Sequence, residues 1–258
     1  MKDIKIIVAT HKEYRMPTET MYLPVQLGAY NKEECLYQPD NTGENISSKN
    51  SSFCELTGLY WAWKNLDNEY IGLSHYRRHF KGKTKSKDAF NQVLTIEEAS
   101  KLLDNNDIIV TKRRNYYIET VYSHYDHTLY IEPLDKTREI ISRKYPNYLK
   151  SFDKCMKNKH MHAFNMFIMK RDKLDEFCSW LFDILFTLED EMSGIKYNDF
   201  HSRYPGRISE VLLDVWLETN NYQYKEVPFI YMERINKFKK GMSFLKAKFL
   251  GKKYGESF

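Results

Sequence analysis

With 258 residues, 42% of them hydrophobic and 15% aromatic, the chain has the material for one large ordered domain and lies outside the disordered regime. Its four cysteines (Cys35, Cys54, Cys155, Cys178) show no CxxC spacing, which argues against a zinc knuckle or a disulfide framework and predicts buried thiols in a reducing compartment. The net charge of +5 belongs to one end: residues 234–258 carry eight Lys/Arg against Glu256, which leaves residues 1–233 at −2.

In chain order, Ile4 to Thr10 reads as a buried strand that stops at Thr10-His11-Lys12. The loop after the first strand of a nucleotide-binding α/β fold meets the ligand, so these three residues are either contacts to a base or phosphate or an ordinary polar loop. Residues 13–39, punctuated by Pro17, Pro24 and Pro39, predict no long element. Asp40 to Asn50 is an Asp/Asn/Gly/Ser loop whose glycine and glutamate miss the spacing of a calcium loop. Ser52 to Asn65 predicts a helix with Phe53, Leu56, Leu59, Tyr60 and Trp63 on one face, Glu55 and Thr57 on different sides, and Lys64 at its C-terminal end. A strand, Tyr70 to Ser74, follows and ends in His75-Tyr76-Arg77-Arg78. Helix, strand and then polar groups at the strand's end is how open α/β sheets place ligand sites. Planar guanidinium groups suit paired phosphate oxygens, although Arg77 and Arg78 also fit a stacked surface pair.

Thr95 to Glu98 is a capping box for a helix through Asp104, and Asp107 to Thr111 is another buried strand. Lys112 to Tyr130 is rich in tyrosine and contains His124-Tyr125-Asp126-His127, which suits either a metal or an aromatic acceptor-binding loop. Helices are expected at Leu134 to Lys144 and Tyr148 to Lys157, and a strand from His162 to Lys170. A strongly periodic helix follows through Leu174, Phe177, Leu181, Ile184, Leu185 and Leu188. After a polar loop, His201 to Gly206, the last helix is predicted at Arg207 to Asn220 with Glu210 in its first turn, where a carboxylate favours the helix dipole. A final strand is expected from Glu226 to Met232.

Beyond Glu233, Ile235, Phe238, Met242, Leu245 and Phe249 form one stripe of a basic helix. It suits either an anionic membrane surface or a terminal helix laid on the domain; basic residues confined to one terminus without a recognition motif argue against nucleic acid. Met1-Lys2-Asp3 runs straight into a strand, and no stretch reaches the roughly 18 apolar residues of a spanning helix. The expectation is a cytoplasmic protein, peripherally associated with the inner face of the cell membrane.

The blocks THK, DNTGENISSKN, FCELTGLYWAWKN, YIGLSHYRRHF, NMFIMKRDKLDEFCSWLF and RISEVLLDVWL together resemble a bacterial family first described as a domain of unknown function, whose members look like GT-A-type glycosyltransferases of capsular polysaccharide and lipopolysaccharide O-antigen synthesis. The resemblance covers residues 3–232 and excludes the tail. It implies an α/β, GT-A-like fold, with a central mixed, mostly parallel sheet flanked by helices, in residues 1–233; the basic amphipathic helix expected in 234–258 rests on its own spacing. It also implies transfer of a hexose, galactose in pyranose or furanose form, from a UDP-sugar to a lipid-linked oligosaccharide.

In that light the expected donor site takes in Thr10, His11, Lys12, Asn45, Lys49, Asn50, Glu55, His75, Tyr76, Arg77 and Arg78. The base would be Glu210, with Asp126 in reserve. Ordinary GT-A enzymes hold Mn²⁺ or Mg²⁺ through an Asp-x-Asp where this chain has Ser74-His75-Tyr76-Arg77, so the arginines are expected to replace the metal against the leaving UDP. The rival class is a non-catalytic nucleotide- or glycan-binding module of an assembly complex. A phosphotransferase lacks its Gly-rich loop here.

Overall fold

The computed structural model describes residues 2–233. Its strands are β1 (Ile4–Thr10), β2 (Tyr22–Gln26), β3 (Gln38–Pro39), β4 (Tyr70–His75), β5 (Arg78–Phe80), β6 (Ile108–Thr111), β7 (Arg114–Asn115), β8 (His160–Met161), β9 (Phe167–Lys170), β10 (Lys225–Val227) and β11 (Phe229–Tyr231). Its helices are α1 (Asn50–Phe53), α2 (Leu56–Asn65), α3 (Ile96–Leu103), α4 (Val121–Thr128), α5 (Glu132–Lys144), α6 (Pro146–Lys157), α7 (Arg171–Glu191) and α8 (Tyr204–Thr219). The predicted basic helix of residues 234–258 lies outside the described residues. None of the described helices is long and apolar enough to cross a membrane.

The main sheet runs β10-β6-β9-β4-β1-β2-β3, and β5 and β11 extend it as an antiparallel pair beyond the end of β4. The pairs β1–β2, β1–β4, β2–β3 and β6–β10 are parallel, whereas β9 lies antiparallel between β4 and β6. The central strands are apolar on both faces because both faces are covered. On one face Ile7, Leu73, Val110 and Phe167 pack against α2, α7 and α8; on the other Ile6, Val8, Ile109 and Ile168 pack with Leu94, Ala99 and Leu103. The stripe read on α7 is buried as expected, each such side chain contributing about 1.5–3 kcal/mol.

Several elements differ from expectation, each for a local reason. Strand β2 contains Pro24, which lacks a ladder donor; it is tolerated because β3 pairs only with Val25 and Gln26 and leaves that edge open. The helix expected from Ser52 to Asn65 is broken at Cys54, whose φ of 52° ends α1 and redirects the chain into α2. Helix α8 begins at Tyr204 rather than Arg207, because Pro205 suits a first helical turn, and Glu210 therefore lies in the second turn. Lys112 to Tyr130, expected as a loop or metal-binding segment, contains α4, which the capping box Thr120/Ser123 opens. The last expected strand is split by Pro228: β10 joins β6, and β11 joins β5. The four cysteines are free, with Cys155 and Cys178 buried but Cys35 and Cys54 partly exposed.

The difference with the largest consequence is at His162 to Met166. These residues do not continue β9 but form a turn in which Phe164 and Asn165 have φ of 76° and 53°. Because β9 is antiparallel, this turn precedes it at the sheet edge where β1 and β4 end.

Candidate active site

At that edge is a cavity of about 460 Å³, within the range of small-molecule sites. It is bounded by the ends of β1 and β4, the α1–α2 junction, the Phe164 turn, the first turns of α8, and a far wall of Arg114, Tyr116 and α4. A buried carboxylate fixes the nearest loop. Asp40 accepts the backbone N–H of Gly28 and Ala29 (both 3.0 Å), and the hydroxyls of Ser47 and Thr57 (2.6 Å for Thr57). With Thr57 committed there, Glu55, two residues earlier, faces the cavity.

Of the residues expected in the site, the structure brings His11, Asn50, Glu55, His75, Tyr76, Arg77, Arg78 and Glu210 together around this cavity. Five do not line it. Thr10 is buried and donates to the Lys12 carbonyl at 2.7 Å. The Lys12 ammonium lies over the Tyr14 and Tyr76 rings. Asn45 closes its own loop onto the Asn41 and Gly43 carbonyls, and Lys49 pairs with Glu189 at 2.7 Å. Asp126 sits on α4 but not among the lining residues.

The Phe164 turn holds both carboxylates. The Phe164 N–H donates to Glu210 Oε2 at 2.9 Å, and Asn165 Nδ2 donates to Glu55 Oε1 at 2.7 Å. Ser209 pins the Asn165 amide by donating to its Oδ1 at 2.7 Å. His75 Nε2 donates to the Phe164 carbonyl at 2.8 Å and lies 3.9 Å from Glu55 Oε1. Burial raises the pKa of Glu55, partly offset by the Asn165 bond. Burial likewise raises that of Glu210, partly offset by the Phe164 bond, with the Glu55 charge adding to the rise. Burial and then Arg78 push His75 down to about 3, so this imidazole is neutral. Burial lifts the Cys54 thiol to about 12, which rules it out as a thiolate nucleophile.

Against these two carboxylates the cavity sets five arginines: Arg77, Arg78, Arg114, Arg203 and Arg207. Arg78 stacks on Phe164 at 4.4 Å, and Arg207 on Phe200 at 4.1 Å. Arg77 has Glu233 at 4.0 Å, whereas Arg114, Arg203 and Arg207 make no ion pair with any described carboxylate. Burial lowers the Arg207 pKa. Arginines 114, 203 and 207 were not expected from the sequence, because no local motif flags residues that only the folded chain brings to Arg78.

Two further clusters lie nearby. The buried Glu119 accepts from His124 Nδ1 at 3.0 Å and from His127 Nδ1 at 2.6 Å, so one ring nitrogen of each histidine is held by the same carboxylate. His162 contacts Asp214 through Nδ1 and Glu226 through Nε2 (3.1 Å). Among the described residues no group of three or more His, Cys, Asp or Glu side chains is arranged to hold a metal ion.

Comparisons with known proteins agree with this architecture. No curated protein matches the chain. A solved structure described as the apo form of WbbM, a bifunctional glycosyltransferase, superposes with a TM-score of 0.83 at 26% identity, over 90% of this chain and 46% of that one. The chain thus spans just under half of that enzyme. A family model described as a domain of unknown function, DUF4422, matches residues 5–221, which is most of the chain, and the chain belongs to this family.

Proposed function

We propose that this chain is a glycosyltransferase that moves a hexose from a UDP-sugar to a lipid-linked glycan acceptor. The observation that carries the reading is the convergence of five arginines on one cavity with two desolvated carboxylates. Like charges gathered at one cavity repel one another, and burial already lowers the pKa of Arg207; a nucleoside diphosphate supplies the missing counter-charge. The likeness to a bifunctional glycosyltransferase supports the same class.

In this reading the arginines hold the diphosphate and stabilise the charge that develops as the sugar leaves, the task an Asp-x-Asp-bound metal performs elsewhere. The acceptor hydroxyl oxygen forms a bond to the anomeric carbon as the carbon–oxygen bond to UDP breaks, and the electron pair departs with UDP. The hydroxyl proton passes to Glu210, whose orientation is set by the Phe164 N–H. Glu55, bonded to Asn165 and beside His75, faces the sugar. His11 and Asn50 at the cavity rim complete the donor site.

The test is release of UDP from a panel of UDP-sugars with a lipid-linked acceptor, with and without EDTA. UDP-galactose is expected to turn over in EDTA. Loss of turnover in EDTA with recovery in Mn²⁺ would refute the arginine mechanism, and tight UDP binding without turnover of any donor would leave a binding module.

A further inference from the structure

We propose that the turn Tyr116–Ile118 is a wedge that seats the cavity mouth on an anionic bilayer. Tyr117 is 78% exposed and Ile118 is 63% exposed, adjacent in sequence and at the tip of one loop. Tyr117 has φ of 59°, an unfavourable conformation for a residue with a Cβ, closed by the Ile118 N–H donating to the Tyr116 carbonyl at 2.7 Å.

The base of the turn is fixed. The Tyr116 N–H donates to the Lys159 carbonyl at 2.8 Å, the Tyr116 ring stacks on His124 at 4.2 Å, and the next residue, Glu119, is buried between His124 and His127. A rigid base under a strained tip holds two apolar side chains in water, and no contact within the described fold accounts for them.

What surrounds the tip identifies its partner. Lys112 and Arg113 precede it, and Lys157 and Lys159 lie across the β7–β8 pairing; all four are exposed. Arg113 also reaches Tyr224 and Glu226, while the nearest carboxylate in sequence, Glu119, is buried. An apolar tip with an amphipathic tyrosine inside a cationic frame matches the acyl–headgroup boundary of a bilayer containing anionic lipid. Arg114 and Tyr116 line the cavity, so its wall lies within two residues of the contact. The purpose of the wedge rests on the transferase reading, since a lipid-linked acceptor presents its sugar at such a surface; the contact itself does not.

The test uses the full chain carrying Tyr117→Trp. Trp61, Trp180 and Trp216 are buried and Trp63 is partly so, which leaves the new indole distinguishable by difference from the unsubstituted protein. With phosphatidylcholine vesicles containing phosphatidylglycerol, its emission is expected to shift to the blue and to be largely quenched by brominated acyl chains. A Trp at Leu36, exposed beside β3 at the opposite edge of the sheet, is expected to stay unshifted. An unquenched indole at 117, an equal response at 36, or a shift produced by soluble glycan and not by vesicles would overturn the proposal. In a second arm, Tyr117→Ser/Ile118→Ser is expected to lower transfer to a vesicle-borne acceptor severalfold while leaving transfer to the same glycan on a short soluble aglycone unchanged. Equal loss on both acceptors would also overturn it. Absence of transfer by the unsubstituted chain would sink the transferase reading alone, with the quenching result still deciding the wedge.

Discussion

Two clusters of histidine and carboxylate hang on one short segment of this chain, and they have opposite characters. At His162 both ring nitrogens meet carboxylates, and the backbone N–H also donates to Asp214 at 2.9 Å; although Asp214 borders a smaller cavity of about 270 Å³, its oxygens are taken up by His162. Two residues on, at Phe164, the backbone holds Glu210 and His75, and Asn165 holds Glu55, but the cavity they face is lined by five arginines, of which Arg114, Arg203 and Arg207 make no ion pair with any described carboxylate. The first cluster is saturated by its own chain. The second is left for a ligand to complete, and residue type alone does not separate the two.

The sharpest way to break this contrast is Glu210→Gln, expected to lower transfer by about 10²- to 10⁴-fold with UDP affinity and fold retained. Unchanged transfer in a steady-state assay would remove Glu210 from the role of base. His162→Ala should do the reverse. Leaving Asp214 and Glu226 without their shared partner is expected to cost about 3–5 kcal/mol in denaturant unfolding, with UDP affinity of the remaining folded protein unaltered. Next in size is Arg207→Ala, expected to lose about 1.5–3 kcal/mol of UDP affinity by calorimetry while the unliganded protein melts no earlier, because a desolvated cation has been removed. Destabilisation without loss of affinity would make Arg207 a structural group.

The smallest expected effects are in the pH dependence of melting. Glu55 and Glu210 have folded pKa values raised above the ordinary 4.5. The folded chain therefore keeps their protons longer, and the stability they contribute is present below 4.5 and lost as pH rises through the raised values. His75 has the opposite slope: with a folded value near 3 against 6.5 unfolded, its contribution is present above 6.5 and lost as pH falls toward 3. Glu55→Gln should thus gain on the unsubstituted protein as pH rises past 4.5, and His75→Asn should lose less as pH falls below 6.5. Parallel melting curves across both windows would contradict the burial assigned to these groups.

Much of the frame was legible in the sequence. The apolar runs of β1, β4 and β6, the Thr95/Glu98 capping box and the 3.6-residue period of α7 all rest on local patterns, and all are present. Glu55, His75, Arg77 and Arg78 could be grouped because they lie on one helix–strand passage. The Phe164 turn was not legible: HAFNM is apolar enough to read as a continuation of β9, and only its backbone geometry shows otherwise. Nor were Arg114, Arg203 and Arg207, which share the cavity with Arg78 through the placement of β7 and the start of α8 rather than through any spacing. Around His124 and His127 the sequence offered Asp126 as the neighbouring carboxylate, while in the fold it is Glu119 that accepts from both rings.

The reversed direction of β9 also has a practical consequence. Since the site draws on the turn that precedes β9 and on the ends of β1 and β4, the other rim, where Ile4, Tyr70 and Lys170 lie side by side, contributes nothing to the cavity lining. A tether or reporter joined ahead of Lys2 would hang from the back of the molecule, leaving both the entrance and the Tyr117 tip unobstructed for immobilised assays.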